Sequence, residues 1–408
     1  MMKSRTFTIS FLIAVFAGVI SCKNEADPVA DKSFFTRFYD NSNFNIAYTP
    51  LDIVQTSDGG YIVLGLKRTI IADGSDVDPG VIYIMKTDAF GAFISDDELD
   101  ANMVTPAPSL LDVAGKFYFF CMDGATQSIQ LMEVDGNGTI AQQLNVGGAY
   151  PLAAGVDGQS LLLLHYDQGN RTTVMSTVAT DGHPQKTKSF TIGPSDGDYT
   201  PESAIMDHIL RTGRRLPFEV GKASNGLYYF NGIYNYTLSI VFTDLNATNP
   251  IGVIQGSHDD GGISALHALG AGKFAAARFN YGDNYFLPAA TLSSTGLSSS
   301  SELGGNSFPE LAPNAPVVIM NATINATDRV LYASNTRGKQ IGLFGYNPTD
   351  GSFVGSRYIG FSNSFELASI KPTADDGLVV LGTTYIAGRF PRICLFKLSA
   401  EALGKSFK

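Results

Sequence analysis

Short apolar runs separated by glycine-centred turns fill most of the chain. In the segment 52–65, DIVQTSDGGYIVLG, the turn Asp58-Gly59-Gly60 separates two apolar runs. A tight hairpin requires positive φ at its centre, and Gly and Asp adopt that conformation most readily. The segment 369–382, SIKPTADDGLVVLG, repeats the pattern near the other end of the chain. Each segment therefore predicts two antiparallel strands joined by a tight turn.

The same pattern recurs in weaker form between these two segments. The turn anchors are Gly60, Gly115, Gly158, Gly226, Gly272, Asp328 and Gly377. A second turn follows each anchor within its unit, at 88–91, 135–138, 181–182, 246–249, 294–296, 350–351 and 399–404. A third apolar run precedes most of these second turns. Four short antiparallel strands in roughly 50 residues, seven times over, are the period of a β-propeller blade.

The sequence therefore predicts an all-β fold, a β-propeller of seven four-stranded blades over residues 34–408. Six or eight blades remain alternatives because the middle units diverge, and an open β-solenoid is less favoured since its repeats are shorter. Too few residues follow Gly404 for a full outer strand in the last unit. Residues 34–39, FFTRFY, have the pattern of an outer strand without a blade. We expect this N-terminal strand to complete the seventh blade and close the ring.

One longer unit contains a predicted helix. Thr200 can cap a helix whose first residue is proline, and Gly213 carries a stop signal. Ile205, His208 and Ile209 would share one face of that helix. The pattern predicts a short helix between the third and fourth blades, on the same face of the propeller as the long loops.

The first 22 residues follow a different pattern. Lys3 and Arg5 precede an apolar run at 7–20, which is too short to span a bilayer but has the length of a signal-peptide core. The run leads into Val-Ile-Ser-Cys22, which looks like a bacterial lipobox; an ordinary secretory signal with a chance cysteine is the alternative. We expect a signal peptide at 1–21, lipid on Cys22 that attaches the protein to a membrane, and a flexible tether at 22–33.

Composition narrows the function classes. The net charge of −10 argues against a nucleic-acid partner. The chain has no Trp, which argues against the WD-repeat, the Asp-box of sialidases and the quinoprotein blade, and leaves Tyr and Phe as stacking platforms for a sugar. Cys121 and Cys394 lie in strand-like runs, and we expect two buried thiols rather than a disulfide.

The unit SDGGYIVLG at 57–65 and its copy at 375–382, behind a lipobox, resemble the lipid-anchored β-propeller lipoproteins of Bacteroidota. The resemblance covers the signal and most of the body. It implies an exported outer-membrane lipoprotein and carries over no catalytic residue. The acidic stretch after Cys22 favours display on the cell surface, with the periplasmic side as the alternative.

The candidate binding surface is the face on which the longer loops open. In a propeller, the loops between second and third strands and the connections between blades open on one face, the loop face, and the hairpins open on the opposite turn face. The loop-face segments are rich in Tyr, Asn and Arg, which suit a polar ligand or a protein. The candidate ligand-binding residues are Tyr166, Arg171, Tyr234, Tyr236, Arg278, Asn280, Tyr281, Arg337 and Arg389.

These residues predict a binding or scaffold module whose partner is an outer-membrane protein complex or a glycan or peptide ligand. A glycan-active enzyme is the less favoured alternative. Asp52 and Glu366 begin inner strands of blades that ring closure makes neighbours, and two carboxylates can act as acid and base in glycoside hydrolysis. Solvated acids at strand starts are the simpler interpretation of this pair.

No cofactor is expected, and calcium is a minor alternative. The segment with Asp73, Asp76 and Asp78 offers oxygen ligands, but it lacks the spacing and the final Glu of an EF-hand. The five histidines are scattered without the spacing of a metal site.

Overall fold

The computed structural model describes residues 32–40, 45–69, 80–194, 199–211, 214–386 and 390–408. Within these residues, seven sheets follow one another along the chain and form a seven-bladed β-propeller. The inner strands of neighbouring blades contact one another. The predicted fold class and blade number are therefore confirmed.

The first three blades have the following strands, in order from the inner to the outer edge of each sheet. Blade 1 contains β2 (Ile46–Gln55), β3 (Tyr61–Thr69), β4 (Val81–Thr87) and β5 (Phe93–Glu98). Blade 2 contains β6 (Met103–Val104) and β7 (Leu111–Val113), which both pair with β8 (Lys116–Asp123), then β9 (Ser128–Val134) and β10 (Ile140–Asn145). Blade 3 contains β11 (Pro151–Asp157), β12 (Ser160–Asp167), β13 (Thr172–Val178) and β14 (Pro184–Thr191).

The remaining blades follow the same order. Blade 4 contains β15 (Glu219–Lys222), β16 (Tyr228–Tyr234), β17 (Thr237–Thr243), β18 (Gly252–Gln255) and, at its outer edge, β22 (Gly296–Ser299). Blade 5 contains β19 (Gly261–Gly270), β20 (Lys273–Asn280), β21 (Asp283–Thr291) and β23 (Asn306–Ser307). Blade 6 contains β24 (Val317–Ile324), β25 (Thr327–Asn335), β26 (Ile341–Tyr346) and β27 (Phe353–Ile359). Blade 7 contains β28 (Phe365–Pro372), β29 (Leu378–Ile386), β30 (Phe390–Leu398) and β1 (Phe35–Tyr39).

The N-terminal strand closes the ring as predicted. β1 pairs antiparallel with β30, with Phe35 opposite Lys397 and Tyr39 opposite Ile393. Arg392, whose side chain is fully buried, ties the two chain ends further together. Its Nε donates to Asp40 Oδ1 at 2.8 Å and its Nη1 donates to the Ile46 carbonyl at 2.6 Å. The first and last parts of the chain therefore form one sheet, with an ion pair between buried Arg392 and exposed Asp40 at its edge.

A buried lysine holds the first hairpin turn of blade 1. Lys86 on β4 donates to Thr56 Oγ1 at 2.5 Å and to Asp58 Oδ1 at 3.0 Å. Gly59 has the positive φ of 83° that a tight turn needs, but Gly60 has a different reason to be glycine. A Cβ on Gly60 would come within 2.2 Å of the Thr87 carbonyl oxygen. The third strand thus approaches the turn too closely for a side chain, which the turn chemistry in the sequence does not reveal.

Blade 7 repeats this arrangement. Lys397 on β30 donates to Asp375 Oδ1 at 2.5 Å and to the hydroxyl of Thr373, and its side chain is buried. Asp376 has the positive φ in this turn, at 58°. A Cβ on Gly377 would meet the Lys397 Nζ at 2.2 Å. The two most similar sequence units therefore share a turn that is closed by a lysine of the third strand.

Blades 4 and 5 depart from the expected plan. The turn at 294–296 was expected to lead into the outer strand of its own unit, and for blade 5 that expectation is wrong. β22 instead pairs in parallel with β18 of blade 4, with Gly252 opposite Gly296 and Gln255 opposite Ser299. The outer strand of blade 5 is the two-residue β23, which pairs with β21. The fifth sequence unit thus contributes β22 to the sheet of blade 4.

Both helices lie outside the blade sheets. α1 (Pro201–Leu210) confirms the predicted helix, and Ile205, His208 and Ile209 are buried. Thr200 occupies the N-cap position as expected, but its side chain makes no capping hydrogen bond. The segment 399–404 was predicted to be a turn, but α2 (Ala400–Ser406) forms there, with Ser399 capping it by accepting from the Ala402 N–H. The prediction was wrong because Ser and Gly are common both in turns and at the ends of helices.

Hydrogen bonds between blades add to the apolar contacts. Thr173 Oγ1 on blade 3 donates to the Ile233 carbonyl of blade 4 at 2.7 Å, and Asn231 Nδ2 on blade 4 donates to the Ile263 carbonyl of blade 5 at 2.8 Å. Tyr332 on blade 6 donates to the Ala276 carbonyl of blade 5 at 3.1 Å. Cys121 and Cys394 are buried free thiols, as expected.

Candidate functional site

On the loop face, the loops between second and third strands lie beside the connections between blades. The Tyr281 N–H, in the loop between β20 and β21, donates to the Asp260 carbonyl in the connection from blade 4 to blade 5, at 2.9 Å. The Tyr236 N–H, between β16 and β17, donates to the Ile192 carbonyl at 2.8 Å. α1 joins this face through Glu202, which receives a hydrogen bond from Gln168 Nε2 at 3.1 Å. The loop face is therefore assembled as the sequence predicted.

Two of the predicted binding residues are buried. The Tyr166 side chain is fully buried in the core between blades 3 and 4, and burial raises the pKa of its hydroxyl above the usual range. Arg278 is 8% exposed; its Nε donates to the Gly304 carbonyl at 2.5 Å and its guanidinium lies 3.8 Å from the Tyr285 ring centre. Neither side chain presents a surface to a ligand. The sequence shows that they flank loops but not how deep each strand end lies.

The other described candidates reach the surface in different places. Tyr281 is the most exposed at 73%, and its hydroxyl lies 3.3 Å from Ser257 Oγ. Arg171 is partly exposed and pairs with Glu202 of α1 at 3.5 Å. Tyr234, Tyr236 and Asn280 are partly buried at strand ends. These residues are spread over blades 3, 4 and 5 rather than gathered around one cavity.

A cleft on the loop face brings other charged side chains together. This loop-face cleft lies between blades 6 and 7 and has a volume of about 590 Å³. Its polar lining residues are Asn335, Thr336, Arg337, Lys339, Ser364, Glu366 and Tyr385. Arg337 and Glu366 are candidates from the sequence, and both are exposed. The cleft thus joins a predicted binding residue to a predicted catalytic candidate.

Hydrogen bonds fix the walls of the loop-face cleft. Tyr385 donates to Glu366 Oε2 at 3.0 Å. Burial and the Glu366 carboxylate raise the pKa of the Tyr385 hydroxyl above its usual range, so it remains a donor. Arg337 Nε donates to the Pro309 carbonyl at 2.7 Å, which leaves its other guanidinium N–H groups facing outward. The Lys339 carbonyl accepts from the Phe365 N–H at 2.9 Å, joining the loop of blade 6 to blade 7.

Asp52, the second carboxylate candidate, is buried and held by neighbours. Its Oδ1 accepts from Ser369 Oγ at 2.6 Å, and its Oδ2 accepts from the Leu110 N–H at 2.9 Å. Lys371 Nζ lies 3.1 Å from Oδ2. Asp52 therefore links the inner strands of blades 7 and 1 to blade 2. Glu366 is the accessible member of this pair.

A partly buried carboxyl group that the sequence did not single out, that of Glu219, lies on the inner strand of blade 4. Glu219 Oε2 accepts from the Leu266 N–H of blade 5 at 2.9 Å. Burial raises the pKa of Glu219 to about 8, partly offset by that hydrogen bond. Asp52 and Glu219 thus make the same kind of contact, from an inner-strand carboxylate to the backbone of the next blade. Their role in blade packing is the simplest interpretation of both.

Several candidates lie outside the described residues, namely Cys22, Arg389, Asp73, Asp76 and Asp78. Among the residues that the structure describes, no group of three or more His, Cys, Asp and Glu side chains is placed to hold a metal ion. In the same part of the chain, no helix has the length and apolar character needed to cross a bilayer. The lipid anchor and calcium remain predictions.

Comparison with known proteins yields structural neighbours of low sequence identity. No family model matches the chain, and no curated protein does. The β-propeller domain of the Trilobed protease from Pyrococcus furiosus is 9% identical, with a TM-score of 0.46 over 86% of this chain and 93% of that chain. A proposed 6-phosphogluconolactonase from Bacteroides fragilis is 13% identical, with a TM-score of 0.45 over 92% of this chain and 98% of that chain. At these values the neighbours carry no functional argument.

Proposed function

We propose that this β-propeller is an exported, lipid-anchored binding module of the outer membrane, displayed on the cell surface. The lipobox-like sequence before Cys22 supports the anchor, and the acidic stretch after it supports surface display. The loop-face cleft supports binding, because charged and hydrogen-bonding side chains of two blades converge there on about 590 Å³ of open space. A volume of this size accommodates a small ligand or a loop of a partner protein.

The chemistry of the loop-face cleft favours a polar ligand with an anionic group. Arg337 and Lys339 are exposed cations on one wall, and the carboxylate on the other wall, Glu366, already accepts a hydrogen bond from Tyr385. A guanidinium offers two parallel donors to a carboxylate or phosphate, and an ammonium adds a compact charge beside it. The cations therefore favour a ligand with an anionic group, while Glu366 and Tyr385 offer hydrogen bonds to the hydroxyl or amide groups of that ligand.

A glycan-hydrolysing activity finds less support in the geometry. The two-carboxylate mechanism needs two carboxyl groups on either side of one scissile bond. Glu366 opens onto the loop-face cleft, whereas both oxygens of Asp52 are engaged by Ser369, Leu110 and Lys371. The cleft thus contributes one accessible carboxylate, and binding without hydrolysis is the better-supported function.

Binding is tested with purified residues 23–408 on a glycan array and a panel of acidic peptides. We expect anionic members of either panel to bind, and the double change Arg337→Ala with Lys339→Ala to weaken binding about tenfold or more, since each charge-assisted contact contributes roughly 1.5–3 kcal/mol. Lys186→Ala, at an exposed lysine of the outer strand β14, is the matched control and should bind normally. Binding that the double change leaves intact would remove the cleft from the proposal.

Anchoring is tested separately in intact bacteria. We expect incorporation of labelled fatty acid into the wild-type protein and its loss in Cys22→Ala, because the thiol is the acceptor of lipid. Surface display predicts that a protease added to intact cells digests the anchored protein. Protection from the protease, with lipid still incorporated, would place the protein on the periplasmic side of the membrane.

A further inference from the structure

A second cavity lies where the two ends of the chain meet. This seam cavity has a volume of about 650 Å³ and lies between the outer parts of blade 7 and blade 1. Arg37 and Tyr39 of β1 form one wall, and Tyr48, Tyr83 and Phe93 of blade 1 form the other. Its volume falls within the range of small-molecule sites. It is separate from the loop-face cleft, which lies between blades 6 and 7.

Aromatic rings form a large part of the seam cavity. The rings of Tyr48 and Tyr83 pack with centroids 5.1 Å apart at an interplanar angle of 60° and make a fixed floor. Tyr39 is held by its hydroxyl, which donates to the Gly91 carbonyl at 2.8 Å. Phe93 is 52% exposed at the start of the outer strand β5, so one large ring face is open to solvent. An open phenyl face beside a rigid aromatic floor is a platform for a flat apolar surface.

Charged groups surround this aromatic floor. Arg37 Nε donates to the Phe90 carbonyl at 3.1 Å, which leaves its other N–H groups for a ligand. Lys67 pairs with Glu98 at the cavity edge. Asp96 lies beside Tyr83, and burial together with this carboxylate raises the pKa of the Tyr83 hydroxyl above its usual range. The hydroxyl therefore stays protonated and donates to Asp96, whose carboxylate has further acceptor positions within the cavity.

The aromatic floor and the charged groups around it together determine which class of ligand fits the cavity. A wholly apolar molecule would cover the rings but strip water from Arg37, Lys67 and Asp96 without replacing their hydrogen bonds, which is costly. A fully polar molecule would leave the open Phe93 ring in contact with water. A sugar ring satisfies both, since its C–H face lies against an aromatic ring and its hydroxyls bond charged side chains at the edge.

We infer that the seam cavity is a binding site for a neutral saccharide of one or two rings. Phe93 supplies the stacking face, and Asp96 and Arg37 bond the hydroxyls. Because β1, the outer strand of blade 7, and blade 1 each supply a wall, the bound saccharide bridges these two neighbouring blades and stabilises their contact. Neither the lipid anchor nor the loop-face cleft is needed for this site, so its test is independent of the proposed function.

The inference is tested with residues 23–408 and a panel of neutral sugars: glucose, galactose, mannose, N-acetylglucosamine, maltose and cellobiose. Titration calorimetry measures affinity, and thermal unfolding measures the stabilisation that binding to the folded state requires. We expect at least one sugar to bind and to raise the unfolding temperature. Phe93→Ala and Asp96→Asn should each weaken that binding by about tenfold.

Matched controls separate the site from general effects on the fold. Phe353→Ala removes a phenyl ring that is 57% exposed at the start of the outer strand β27, and Asp97→Asn changes the carboxylate next to Asp96. Both should bind the sugar normally. The inference is overturned if no sugar of the panel binds, or if Phe93→Ala and Asp96→Asn bind as tightly as wild type.

Discussion

Blades 1 and 7 and blades 4 and 5 hold their sheets together in different ways. In blades 1 and 7 a buried lysine of the third strand closes the first hairpin turn, so each sheet is fastened by its own residues. In blades 4 and 5 the chain after β21 leaves its own blade, and β22 pairs with β18 of the preceding blade. The blades with the clearest sequence repeats are therefore stabilised by their own residues. The two divergent blades are instead joined by a strand that the unit of one contributes to the sheet of the other.

The comparison extends to the ends of the chain. Blade 7 is internally fastened at its turn, yet its outer strand comes from the N-terminus, and Arg392 and Asp40 secure that junction. The ring thus closes at the junction of blades 7 and 1, which have the most regular sequence units. β1 is the edge strand of that sheet and pairs with β30.

The largest effect is expected from removing the closing strand. Deletion of residues 34–39 breaks the pairing with β30 and exposes the core around Phe35, which is 6% exposed in the intact protein. We expect the unfolding temperature of the whole domain to fall by roughly 10 °C or more, since several kcal/mol of burial and pairing are lost. Scanning calorimetry measures it, and an unchanged temperature would contradict ring closure by β1.

A smaller effect is expected from opening the lysine-closed turns. Lys86→Met keeps the length of the side chain but leaves Thr56 and Asp58 without their shared donor. We expect a loss of about 1–3 kcal/mol in the free energy of unfolding, measured by urea denaturation. Lys397→Met should cost a similar amount. The exposed Lys186→Met control should stay within about 0.5 kcal/mol of wild type, and equal losses at all three lysines would sink the interpretation.

The strand exchange predicts a local effect. Ser298→Pro places a residue without an N–H in the middle of β22, which weakens its parallel pairing with β18. We expect faster amide exchange in β18 and a global cost of only about 1 kcal/mol, because β16 and β17 keep their own pairing. Amide exchange read by mass spectrometry checks this. Unchanged protection in β18 would show that β22 contributes nothing to blade 4.

The smallest effect is a pH dependence at the turn of blade 1. The hydrogen bond from Thr56, with that from Lys86, lowers the pKa of Asp58 to about 2 from its ordinary 3.8. A lowered folded-state pKa contributes stability that is present above about pH 4 and is lost as the pH falls towards 2. Asp58→Asn should therefore lose less stability than wild type over that interval. Parallel acid-unfolding curves of the two proteins would contradict the predicted shift.

Much of the fold could be predicted from the sequence because its signals are local. The turn anchors, the strand pattern of 34–39 and the helix at Pro201 each depend on a few adjacent residues. The role of Lys86 was missed because it is about 30 residues from the turn that it closes, which only pairing of the strands brings together. The destination of β22 was missed for the same reason, since a strand pattern does not specify its partner.

The candidate site was less predictable. Loop position identified Arg337 and Glu366, which the structure places in one cleft, but it also selected Tyr166 and Arg278, which are buried. Depth at a strand end depends on what packs above it, such as the Tyr285 ring over Arg278. The seam cavity was missed because its walls come from strands of two different blades, β1 in blade 7 and β2, β4 and β5 in blade 1, which only the folded ring brings together.

Ring closure in the register of β1 and β30 is tested most directly by a disulfide that uses a native thiol. Phe38 lies opposite Cys394, and adjacent antiparallel positions have the separation that a disulfide requires. In residues 23–408 carrying Phe38→Cys, we predict that mild oxidation links positions 38 and 394 within one chain, as read by peptide mapping. Tyr39→Cys, which lies opposite Ile393, should remain a free thiol. No link in the first variant, or an equal link in the second, would contradict the closed ring.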